Sequence, residues 1–138
     1  MKINKQIQPC DESCVATCIA MLIDEPVEMI MGDFHDRYMH GGITIPQYLD
    51  AHGIKHKEFN SIEWITDQGR YLVLAPSLNT HAKLHTVIMD ISPYGNYVYD
   101  PYDDGEHHYY VSPTKEVVTR CEVRLYSFAP MLKICTGE

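Results

Sequence analysis

Residues 8–21 read QPCDESCVATCIAM, with cysteines at positions 10, 14 and 18. Three roles compete for them: metal ligands, a redox pair with a spare, or one nucleophile with two buried neighbours. A single helix through all three would align them on one face. Pro9 and the polar run Asp11-Glu12-Ser13 argue against so early a start and place the helix beginning between Cys10 and Cys14. From Cys14 to Ile23 the chain is apolar nearly all round, the pattern of a buried helix and not of an amphipathic surface one. Asp11 or Ser13 is placed to cap it, and Asp24-Glu25-Pro26 to end it. Zinc sites usually combine two closely spaced ligand pairs, and no second Cys pair exists here. Cys18, inside VATCIAML, reads as a small buried hydrophobe. Cys14 differs by position. In the first turn of a buried helix it meets the positive end of the macrodipole and free backbone N–H groups, and both favour thiolate over thiol. The same N–H groups can hold a developing oxyanion, and the Gln8 side-chain amide, six residues upstream, can supply a second donor.

The composition bounds what such a thiol serves. At 138 residues the chain is expected to form one domain, 1–138, with a core that needs no disulfide staples. Eleven basic against nineteen acidic side chains give a net charge of −8, which argues against nucleic acid or an anionic membrane surface as partner. The start, MKINKQIQPC, has no apolar stretch of signal-peptide length, and no window reaches the roughly 18 apolar residues of a membrane span. Five cysteines cannot all pair internally, so reduced thiols in a cytoplasmic protein are expected.

Beyond the first helix, Pro26 suits the first turn of a second one that runs to about Tyr38 and breaks at His40-Gly41-Gly42. A short third helix is expected from Thr44 to about Ala51, closed by His52-Gly53. After Gly53 the texture turns to β. RYLVLAP, LHTVIMDI, YGNYVYD, HHYYVS and CEVRLYSF are short, rich in Val, Ile and Tyr, and separated by Gly, Pro or Asp. Helices first and an antiparallel sheet second define an α+β fold. Residues 112–120 read equally as a helical turn or a strand approach.

A thiolate nucleophile needs a base, and the base an orienting group. Of eight histidines most sit in polar or turn-like surroundings. His85 instead opens the strand HTVIMDI, sharing a face with Val87, Met89 and Ile91. It reads either as a core histidine satisfied by a backbone partner or as that base. The following strand, YGNYVYDP, ends at Asp100, and two arms of equal length put His85 and Asp100 at the same end of a hairpin. A tight turn centred on Tyr94-Gly95 would offset them and require a bulge. Asp100 has an ordinary alternative too, as the start of the DPYDDG turn.

Gln8, then Cys14 at a helix start, then His85, then Asp100 is an order that resembles the papain-like cysteine peptidases. Within them it looks most like the bacteriocin-processing, double-glycine-leader peptidases and their stand-alone relatives. There a Gln leads a helix like CVATCIAM, a His opens a strand like LHTVIMDI, and an Asp-Pro closes the next, like YVYDP. The segment GGITIPQYLDAHGI is similar to the helix those domains carry between their halves. The likeness covers residues 6–105. Two positions depart from it: Val15 stands where Gly usually follows the nucleophile, and Ser13 where Asp commonly precedes it. The last thirty residues, roughly, match nothing in the family.

The resemblance implies a papain-like fold, with a central N-terminal helix packed on an antiparallel sheet. It implies hydrolysis of a peptide or isopeptide bond through a thioester. Cys14 would attack, His85 act as base and acid, Asp100 orient the imidazole, and Gln8 with the Cys14 N–H bind the oxyanion. It calls for no metal or organic cofactor, and for a peptide or protein substrate with an extended, Gly-Gly-like cleavage site. Val15 is a candidate substrate-binding residue, narrowing the approach if it faces the cleft. The alternative is a non-catalytic binding module with the same fold.

Overall fold

The structure, a computed structural model, describes residues 3–10, 12–59, 68–76, 84–93, 95–99, 101, 109–111, 122–124 and 129–135. Its first half is helical and its second half strand, an α+β architecture. Helix α1 (Cys14–Ile23) has seven consecutive buried residues, from Val15 to Met21, as its all-round apolar sequence requires. Asp24 ends it in the left-handed region (φ 59°), and the Glu25 N–H closes back on the Ala20 carbonyl at 2.9 Å.

Pro26 stands just before α2 (Val27–Ile30), as the N-cap and not inside the first turn. The cap comes from a distance: Gln6 Oε1 accepts the Val27 N–H at 2.8 Å while its Nε2 donates to the Glu25 carbonyl at 2.7 Å. α2 continues through a π-helical turn (Met31–His35) into α3 (Asp36–Met39), so the second helix of the sequence is interrupted by one wide turn. Helix α4 (Ile45–Ala51) starts on a reciprocal capping box. Thr44 Oγ1 accepts from the Gln47 N–H at 3.2 Å, and Gln47 Oε1 accepts from the Thr44 N–H at 2.9 Å.

Five strands form one antiparallel sheet: β1 (His56–Glu58), β2 (Gly69–Pro76), β3 (Leu84–Ser92), β4 (Gly95–Tyr99) and β7 (Ala129–Ile134), in the order β1-β7-β2-β3-β4. Strands β5 (Tyr109–Val111) and β6 (Glu122–Arg124) lie in the expected β segments but pair with each other in parallel, a correction to an all-antiparallel reading. Two strands were not expected at all. β7 contains Pro130, which argues against an interior strand, yet Pro130 falls where the β2–β7 register shifts between Leu72 and Val73. β1, His-Lys-Glu, carries no apolar alternation because it is a three-residue edge. The segment 112–120 lies outside the described residues.

Both faces of the sheet are buried. Leu72, Ile88, Leu132 and Ile134 join the helices in the main core with Ile19, Ile30, Phe34 and Leu49. Tyr71, Val73, Val87 and Met89 form a second cluster on the opposite face. This alternation fixes the register, since a one-residue slip would exchange the two faces. Among the described residues no helix is long and apolar enough to cross a membrane.

Candidate active site

The hairpin β3–β4 sets the geometry. Ser92 pairs with Gly95 across a two-residue connection, and the ladder runs back to Ile88 opposite Tyr99. Among the described residues, β4 therefore accompanies only the last five residues of β3, while β2 accompanies it from Leu84 to Ile91. The start of β3, with His85 and Thr86, is met by α1 instead. Cys18 Sγ donates to the Thr86 carbonyl at 3.4 Å.

One helical turn earlier, Cys14 sits at the first position of α1, half-buried. Burial pushes its thiol pKa up. The hydrogen bond to the His85 side chain, that to the Thr86 backbone, the charge of His85 and the Thr86 hydroxyl together outweigh burial, so the pKa falls below the ordinary thiol value. His85 itself is 5% exposed, on a strand held by the β2 ladder opposite Ala75. Nucleophile candidate and base candidate thus come from two rigid elements in hydrogen-bond contact.

The loop before α1 is built on the Cys10 carbonyl. It accepts from Gln8 Nε2 at 2.7 Å and from Ser13 Oγ at 2.9 Å, while the Cys10 N–H donates to Ser13 Oγ at 3.1 Å. Ser13 is at the N-cap position but makes no side-chain cap bond to the helix; its hydroxyl is taken up by Cys10. The Gln8 amide is buried, pinned through one of its two N–H hydrogens, and its Oε1 has no hydrogen-bond partner among the described residues. The Gln8 backbone N–H donates to the Pro101 carbonyl at 2.7 Å, which ties this loop to the chain just beyond β4. Asp100 lies outside the described residues.

Val15 is 8% exposed and packs in the main core. The residue found near the thiol is Tyr38 of α3, half-buried and stacked on Phe34 with ring centroids 5.0 Å apart. Burial and then the negative charge of Cys14 raise the Tyr38 hydroxyl pKa. Thr86 and Tyr38 were not singled out from sequence. Thr86 is legible in hindsight as the immediate neighbour of His85; nothing local marks Tyr38, whose placement depends on the π turn. Among the described residues no three His, Cys, Asp or Glu side chains gather as a metal site.

No family model matches the chain, and no match arises among curated proteins or solved structures.

Proposed function

We propose that the chain is a papain-like cysteine peptidase that cleaves a peptide or isopeptide bond after a small residue. The observation that carries the reading is the Cys14 thiol, at a helix start, hydrogen-bonded to His85 with its pKa held down. In the proposed reaction His85 takes the Cys14 proton as Sγ attacks the substrate carbonyl. It returns that proton to the departing amine, leaving a thioester. His85 then draws a proton from water, whose oxygen displaces Cys14 and releases the acid.

The oxyanion is held by the Cys14 N–H, which has no acceptor within the first helical turn, and by the second hydrogen of Gln8 Nε2. The Cys10 carbonyl supports this role because it fixes the amide through the first hydrogen. Asp100 is the proposed orienter of His85. The proposed preference is for extended segments ending in Gly-Gly or Gly-Ala, where no side chain clashes beside the scissile bond.

The test is a peptide library varied at the two residues before the scissile bond, with Cys14→Ala as background. Cleavage after Gly-Gly or Gly-Ala that vanishes in the variant is expected. Equal cleavage after Phe or Leu overturns the small-residue preference, and cleavage that survives Cys14→Ala overturns the mechanism.

A further inference from the structure

α1 carries a second thiol one turn beyond Cys14, and the proposed reaction does not use it. Cys18 is fully buried, and its Sγ donates to the Thr86 carbonyl at 3.4 Å. Cys14 is hydrogen-bonded to the backbone and hydroxyl of the same residue. In an extended strand the N–H and C=O of one residue point to the same side. Two thiols four apart on a helix face therefore engage one residue of β3. Among the described residues β4 begins to pair with β3 only at Ile88, so α1 occupies the place of a strand partner at Thr86.

We propose that Cys18 is a positioning residue: by holding the Thr86 carbonyl it fixes the strand edge that hydrogen-bonds the Cys14 thiolate and carries His85. This rests on Cys14 being the reactive thiol, though not on the bond it cleaves. The choice of cysteine has a physical reason. A hydroxyl inside a helix turns back to the carbonyl four residues earlier, as Thr17 Oγ1 does to the Ser13 carbonyl at 2.8 Å. A thiol is a weak donor on a longer bond, so it competes poorly for that carbonyl and remains available to reach across to the strand.

The test follows Cys14 alkylation against pH by peptide mapping, alongside thermal unfolding. Cys18→Ala should raise the midpoint for Cys14 by about half a pH unit, the scale of a weakened hydrogen bond. Cys18→Ser keeps the volume but should turn back to the Cys14 carbonyl, and so raise the midpoint as well. Thr86→Val reports the hydroxyl contribution separately. The other titratable groups facing Cys14, His85 on β3 and Tyr38 on α3, are unchanged in these variants. A folded Cys18 variant that melts earlier yet keeps the wild-type midpoint overturns the proposal and leaves Cys18 a packing residue. Should Cys18→Ala not fold, the midpoint of Cys18→Ser decides. A shifted midpoint in a protein that cleaves no peptide supports the positioning role while overturning the peptidase reading. A wild-type midpoint at the ordinary thiol value overturns both.

Discussion

The two halves of strand β3 are made of the same kind of sequence and end in different chemistry. Residues 88–91 have β2 on one side and β4 on the other, and Ile88, Met89 and Ile91 pack into the two cores. Residues 84–87 have β2 on one side, but at Thr86 the other edge meets a helix bearing thiols. A continuous ladder spends backbone N–H and C=O groups on each other. An interrupted one leaves them to be met by side chains, and the Thr86 carbonyl is met by the Cys18 thiol. Among the described residues the β4 ladder ends at Ile88, and the proposed chemistry lies before that point, beside the buried Val87.

The largest expected effect tests the chemical half. His85→Ala should abolish peptide turnover in a cleavage assay, because nucleophile and base act as a unit. Gln8→Ala, which removes the proposed side-chain oxyanion donor, should lower kcat by roughly 10–1,000-fold. If His85→Ala stays near wild type while another histidine variant is dead, the start of β3 is not the catalytic half.

The structural half is broken by Met89→Ala. Met89 is 1% exposed in the second cluster, on the face away from the helices. The loss should be about 2–5 kcal/mol in chemical denaturation. The folded variant should keep the wild-type pH dependence of Cys14 alkylation, and a shifted dependence would show that the two halves are coupled.

A smaller effect sharpens the boundary. At mildly acidic pH iodoacetamide should label Cys14 ahead of Cys10 and Cys135, since only Cys14 has His85 and Thr86 to hold its thiolate. The linkage has a definite sign. The folded chain binds the Cys14 proton less tightly than the unfolded chain does. The thiolate therefore contributes stability at pH above the unfolded thiol value, and that contribution is lost as pH falls through the depressed folded value. Unfolding of Cys14→Ala measured across that range should differ from wild type most at the alkaline end.

Much of this was legible in residues whose local environment dictates their structure. Helix α1 follows from an unbroken apolar run, α4 from Thr44 and Gln47 at capping-box spacing, and β2, β3 and β4 from their Val, Ile and Tyr content. Cys14 stood out because it is at a helix start, and His85 because it opens an apolar strand. What escaped depends on partners distant in sequence. β7 is made permissible by a register shift across from Val73, and α2 is capped by Gln6 from twenty-one residues away. Ser13 does stand at the N-cap, but for a local reason its hydroxyl does not cap the helix: the Cys10 backbone, three residues back, takes it first.

The π turn between α2 and α3 takes up one surplus residue within a continuous helical path. An i→i+5 turn holds one residue more than the α-helix would, and each α-helical residue is worth about 100° of rotation. Val27 and Ile30 before the turn and Phe34 within it are all buried against the core. Gly32 within the turn is exposed, with open space where a side chain would begin. Deleting it would keep every side chain named in the site. The turn would then relax to the α-helical repeat, with α2 and α3 kept in phase and Tyr38 on the same side of the axis. Length at this point in the chain sets which helical repeat joins α2 to α3, while the helices on either side keep their faces.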